Sequence, residues 1–206
     1  MTETAAILEF ANVRLTAPWD EQAPAPAIDL TLRRGELAVV NAADNEMTVA
    51  LGDTAQGLVA PADGAVRFLG RTWDEMPAWQ ANSIRGSIGR VSSSYGWLSD
   101  LDLEENVTLS QRHQTRRPVW EIRAEARRWA QAFGLRDGLP PGRPEDMPAD
   151  VLQRAACVSA FLGDPKLIVI ETPASGDWDA VHQPLVDACG FLRGRGAAIL
   201  WLTSGP

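Results

Sequence analysis

Hydrophobic residues recur along this chain with two different periods, and the switch between them outlines a fold. Ile7 to Leu15 is half apolar and extended, Ile28, Leu30 and Leu32 alternate with polar neighbours, and Ala65 to Leu69 alternates again. Alternation of this kind predicts antiparallel or edge strands. Leu37-Ala38-Val39-Val40, Leu167 to Ile170 and Ala197 to Leu202 are instead short continuous apolar runs, the form of strands buried on both faces of a parallel sheet. Helical spacing fills the intervals. A polar turn, Asn41 to Glu46, leads into a helix from Met47 towards Leu58. Val119, Ile122, Ala126, Trp129 and Phe133 fall three and four apart with charges between them, and Gly134 follows as a C-cap candidate. Ala149 to Leu162 reads as a helix rich in small residues, and Trp178 to Leu192 keeps helical spacing despite Pro184. Buried strands separated by helices, preceded by antiparallel ones, predict an α/β fold with a parallel sheet and an N-terminal antiparallel β subdomain. No internal repeat or low-complexity tract interrupts it.

Composition narrows this picture. The 206 residues carry 19 Lys+Arg against 27 Asp+Glu, a net charge of −8. That balance argues against a nucleic-acid binder working through a broad basic surface. Cys157 and Cys189 are too few for a disulfide scaffold and are expected as small core residues in a reduced, cytoplasmic setting. No stretch has the form of a signal peptide or of a membrane span. Only one of the basic residues is lysine, Lys166, the other 18 being arginine. Any phosphate-binding lysine must therefore be Lys166 or be missing.

A buried strand, a tight turn and a helix are the frame of a phosphate-binding loop, which wants glycines, a lysine and a Ser/Thr hydroxyl. Here the chain resembles an ABC-transporter nucleotide-binding domain over nearly its whole length. Gly35 to Val40 resembles the strand into the family's loop, and Gly57 to Gly64 the stretch after the loop helix. That register sets Ala42, Ala43, Asp44, Asn45, Glu46, Met47, Thr48, Val49 and Ala50 at the Gly-rich loop, with Thr48 at the lysine position and Val49 and Ala50 at the hydroxyls. Ile88 to Ser93 resembles the strand carrying the family's glutamine, whose place Ser93 takes. Met147, Pro148, Ala149, Asp150 and Val151 stand at the signature loop. Asp164 to Gly176 is the strongest match, resembling the Walker B strand running into the D-loop, with Glu171 at the magnesium-side aspartate and Thr172 at the catalytic glutamate. Ser204 takes the place of the switch histidine. The phrase Tyr95 to Leu101 is most similar to ABC ATPases of MCE-associated lipid trafficking. The resemblance implies a P-loop NTPase-like domain over 1–206, shortened at its C-terminus, with a helical subdomain at about 94–162.

Each departure from the family pattern has a chemical consequence. Without the lysine the transferred phosphate loses its main cation. Asp44 and Glu46 bring carboxylates to the phosphate side, where one contact at ~4 Å costs about 4 kcal/mol at an effective dielectric near 20. Thr172 and Ser204 cannot do the proton and γ-phosphate chemistry of a carboxylate and an imidazole. Pro148 has no N–H to offer a partner's nucleotide. The resemblance therefore implies a subunit or accessory protein of a transporter, lipid transport included, that is catalytically inactive and needs neither ATP nor Mg²⁺. It would contact a permease, an intact ABC ATPase or a second copy of itself, meeting the membrane only through the permease.

Two other functions stay open at this stage: a slow ATPase, with ATP and Mg²⁺, in which Arg71, Arg85 or Arg90 replaces the lysine, and a free-standing interaction module. The loop at Ala42 to Ala50 reads as an Asp/Asn-capped helix start rather than a phosphate cradle. Glu171 reads as a polar residue in a solvated crevice rather than a Mg²⁺ ligand. His113 and His182 lack motif partners and read as surface residues, Arg112, Arg116 and Arg117 as a solvated basic turn, and Trp19 as packing. Tyr95, Trp97 and Leu98 are candidates for partner docking, since the family's permease coupling helix meets this loop, with partial burial as the alternative.

Overall fold

A computed structural model describes residues 5–16, 27–92, 96–172 and 179–204. Eight strands run in chain order as β1 (Ala6–Arg14), β2 (Ile28–Arg33), β3 (Leu37–Ala42), β4 (Asp63–Phe68), β5 (Arg71–Thr72), β6 (Ile88–Val91), β7 (Leu167–Thr172) and β8 (Ala198–Ser204). They are joined by helices α1 (Asn45–Ala55), α2 (Ala78–Arg85), α3 (Leu103–Gln114), α4 (Val119–Ala132), α5 (Ala149–Phe161) and α6 (Asp179–Gly194). Strands β2-β1-β4-β5 form an antiparallel sheet, and β3-β8-β7-β6 a parallel one.

The apolar run of β7 is explained by its place inside the parallel sheet. Ile168 and Ile170 face a core built with α3, α4, α5 and α6. Leu167 and Val169 face a second core shared with the antiparallel sheet and α1. All four are fully buried. The similar run in β3 fares differently. This strand pairs with β8 alone, and Val39 is 63% exposed, so the expectation of burial on both faces is corrected. A short apolar run does not distinguish an edge strand from a central one.

Helix α4 follows its periodicity with one adjustment. Ile122, Ala126, Ala130 and Phe133 form the buried stripe, whereas Val119 is exposed and Trp129 half-buried. Gly134 adopts a φ of +90°, and Leu135 N–H reaches Ala130 C=O at 2.8 Å, closing the helix end. Helix α3 is capped by a reciprocal pair, Asp102 with the Glu105 N–H at 2.8 Å and Glu105 with the Asp102 N–H at 3.3 Å. Buried Asn106 donates to the carbonyls of Leu98, Leu101 and Asp102 and accepts from Leu98 N–H, clamping the loop before α3. Cys157 and Cys189 are buried and free, and burial pushes both thiols up to about 12.

Candidate functional site

Three element ends converge where the resemblance sets the phosphate loop: the start of α1 and the C-terminal ends of β7 and β8. Parallel strands end here with their carboxyl termini beside a helix N-terminus, the usual crevice of an open α/β sheet.

The start of α1 is satisfied from within. Asp44 is the N-cap, extended at φ −156°, and its Oδ1 accepts from Met47 N–H at 2.8 Å. Its carbonyl accepts both Thr48 N–H (3.2 Å) and Thr48 Oγ1 (2.9 Å). Thr48 is 3% exposed, so the residue at the lysine position has its hydroxyl folded onto its own helix. Glu46 is exposed in the first turn, where a carboxylate suits the helix dipole. Val49 and Ala50 are half-buried and Ala42 is buried. Asn45 Oδ1 accepts from Ser204 Oγ, and Thr203 Oγ1 donates to Asn41 Oδ1 at 3.3 Å, tying the end of β8 to this loop. The capped-helix expectation is what the geometry shows.

Glu171, near the end of β7, departs from expectation. It is 1% exposed, not solvated. Arg90 of β6 donates Nε to Glu171 Oε1 at 2.8 Å, with its Nη2 2.5 Å from the same oxygen, and Ser92 Oγ donates to Oε2 at 2.8 Å. The same guanidinium reaches Asp53 Oδ1 of α1 at 2.5 Å through Nη1, and Nη2 is 3.5 Å from Val49 C=O. Burial holds the Glu171 carboxyl above its ordinary range, against the pull of Arg90 and Ser92. The guanidinium thus bridges α1 and β7 beside the loop, neutralised by two carboxylates. Gly52 makes the approach possible, because a Cβ there would land on Glu171 Oε1 and crowd Arg90.

Of the three arginines weighed from sequence, Arg90 alone is in this network. Arg85 donates to the carbonyls of Gln56 (2.9 Å) and Gly57 (2.5 Å) and lies 5.3 Å from the Trp73 ring centre. Arg71 is exposed on β5. Lys166 lies 3.5 Å from Asp164, before β7. Asp53, Gly52 and Ser92 join the network although nothing in their local sequence marks them. Among the described residues no group of three or more His, Cys, Asp or Glu side chains is placed to hold a metal ion.

The other expected positions are dispersed. Pro148 is the N-cap of α5 with no side-chain cap, followed by exposed Ala149 and Asp150, the latter 3.8 Å from Arg154. Met147 and Val151 are half-buried against the core of the helical lobe. Trp97 is half-buried against the same core, and Leu98 is 49% exposed on the loop that Asn106 clamps. Ser93, Tyr95 and Trp19 lie outside the described residues, as does the side chain of Thr172. His113 and His182 are exposed, and Arg117 pairs with Glu125 at 2.7 Å. No described helix is long and apolar enough to cross a membrane.

No protein-family profile matches the chain. Over 185 residues it is 30% identical to the lipoprotein-releasing system ATP-binding protein LolD of Chromohalobacter salexigens, covering 87% of this chain and 76% of LolD. Over 149 residues it is 24% identical to the intermembrane phospholipid transport system ATP-binding protein MlaF of Escherichia coli K12, covering 72% of this chain and 55%, about half, of MlaF. Among solved structures, an ATP-binding subunit of an ABC transporter superposes with a TM-score of 0.77 at 22% identity, over 96% of this chain and 79% of the other. The ATP-binding cassette MJ0796, solved as a dimer bound to ADP and Pi, gives 0.79 at 18% identity, over 95% and 87%. At such identities these two structures speak for the fold alone.

Proposed function

Since the chain belongs to the ATP-binding subunits of ABC transporters, we propose that it acts as a non-hydrolysing interaction subunit of such a transporter. The observation that carries the reading is Arg90, whose guanidinium ties Glu171 to Asp53. In an ATPase of this family the Glu171 position would face a magnesium ion. Here that carboxylate already holds a cation the fold supplies, shared with Asp53, and the N-terminal amide of Met47 is spent on Asp44. The residues present do not fit MgATP: a phosphate arriving here would meet Asp44 and Glu46 instead of a free cation. On the slow-ATPase alternative Arg90 would have to leave both carboxylates before Mg²⁺ could take its place at Glu171, giving up an ion pair buried in the interior.

The subunit's partners on this reading are a permease, an intact ATPase or a second copy of this chain, at the cytoplasmic face of a membrane. The roles that LolD and MlaF are named for make lipid or lipoprotein traffic the cargo we assign to the complex. Calorimetric titration of the purified chain with MgATP, with phosphate release assayed in parallel, tests the first half. The expected result is no saturable heat and no turnover. Micromolar binding with turnover abolished by Glu171→Ala would overturn it.

A further inference from the structure

Away from the loop, α4 and α6 leave a groove of about 680 Å³ between them, floored by Phe161. Its walls are two helical stripes. Glu125, Arg128, Trp129 and Ala132 line one side, at the three-and-four spacing of one α4 face, and the other is the α6 face from Gln183 to Leu192, with Arg195 just past the helix end. At 1.5 Å per residue the α6 stripe, Gln183 to Leu192, is about 14 Å long, some two and a half helical turns. The floor is aromatic: Trp129 sits 5.2 Å from Phe161 and 6.0 Å, edge-on, from Phe191. Phe191 is 58% exposed, with the Arg195 guanidinium 5.7 Å from its ring centre.

The charges along the walls choose the occupant. Glu125 is taken by Arg117 and by the Gly163 N–H, and Asp164 by Arg195 at 3.1 Å. What is left unpaired by ions among the described residues is one cation on the α4 wall, Arg128, and one anion on the α6 wall, Asp187, which accepts only from Gln183 at 2.8 Å. A uniformly anionic or cationic ligand satisfies one wall and opposes the other. The geometry points to an amphipathic helix of a partner protein, its apolar stripe over Trp129 and Phe191, with acidic residues on the flank facing α4 and basic residues on the flank facing α6. Packing a third helix against two helical stripes uses the ridges and grooves that already shape helix pairs. The inference rests on the interaction-subunit reading and gives it a surface.

The test uses fluorescence anisotropy with labelled peptides of about 18 residues, long enough to hold a helix. One carries the stated pattern, a second has its two charged flanks exchanged, and a third is a scramble of the same composition. The patterned peptide is expected to bind the full chain saturably, about tenfold more tightly than the exchanged one, with the scramble weaker still. Phe191→Asp, at an exposed position, is expected to lose at least tenfold, Arg128→Glu to erase the preference between the two patterned peptides, and Arg128→Glu together with Asp187→Arg to reverse it. Equal binding of the scramble, insensitivity to Phe191→Asp, or no saturation would overturn the proposal. So would Phe191-dependent capture by vesicles of phosphatidylglycerol without peptide binding, which would make the groove a membrane face. The assay contains no nucleotide, so its failure leaves the non-hydrolysing reading standing, and ATP turnover would sink that reading without touching the groove.

Discussion

Replacing Arg90 by methionine removes the one cation among the described residues that pairs with Glu171, while keeping most of the side chain's volume. Two unit charges about 3 Å apart attract by about 5–6 kcal/mol at an effective dielectric near 20. Most of that is offset by the desolvation of both groups, so the intact pair is worth little in itself. The variant is different because it strands a carboxylate that is 1% exposed, a loss of about 3–5 kcal/mol. Against a typical total of about 5–15 kcal/mol, that is a large fraction of the stability. The sign with pH follows from burial. Glu171 is held above its ordinary 4.5 already, so the stability linked to its proton is complete below that value and lost as pH rises through the raised one. Without Arg90 the rise is greater and the loss continues to higher pH. Urea unfolding followed by tryptophan fluorescence at pH 4.5 and pH 8 should show the Arg90→Met penalty growing between them. The double variant Arg90→Met, Glu171→Gln, which keeps a neutral acceptor for Ser92, should recover most of it. A penalty under about 1 kcal/mol at pH 8, or one independent of pH, would refute the buried-pair argument.

Three further outcomes follow from other parts of the molecule. Gly52→Ala should destabilise by about 1–2 kcal/mol, overpacking against Glu171 outweighing helix propensity, whereas Gly190→Ala, with open space around its Cβ, should stabilise by up to about 1 kcal/mol; equal signs in thermal melts would contradict the close approach of α1. Asn106→Ala should cost about 2 kcal/mol and raise amide exchange at Leu98, because the loop carbonyls lose their donor; unchanged exchange there would show that something else holds the loop. Cys157 and Cys189, with burial pushing both to about 12, should resist a thiol reagent at pH 8 until urea unfolds the chain, and prompt modification of either in the native protein would place it at the surface.

The parts of this fold that sequence revealed are those decided locally. Leu167 to Ile170 announced a strand because four apolar residues in succession suit burial on two faces. Ile122, Ala126 and Phe133 announced α4 through spacing, and Asp44 announced a cap through its side chain's reach. Helix α3 was not separately legible, because its buried face includes Asn106, Thr108 and Gln111 and shows no clear apolar stripe. The burial of Glu171 is hidden from the sequence for a related reason. Its partner Arg90 lies 81 residues away in sequence, and nothing near either residue signals the other. The edge position of β3 was equally hidden, since strand order is a property of the assembled sheet.

Strand β7 feeds alternate side chains to both hydrophobic cores. Neither core can come apart while the other keeps this strand in place, since pulling out Ile168 and Ile170 also displaces Leu167 and Val169. The antiparallel sheet and the helical lobe, which share few direct contacts of their own, are in this way made to melt together. Strand β8 divides its side chains the same way, Ile199 to one core and Ala198, Leu200 and Leu202 to the other, so heat should unfold the chain in a single calorimetric step rather than lobe by lobe.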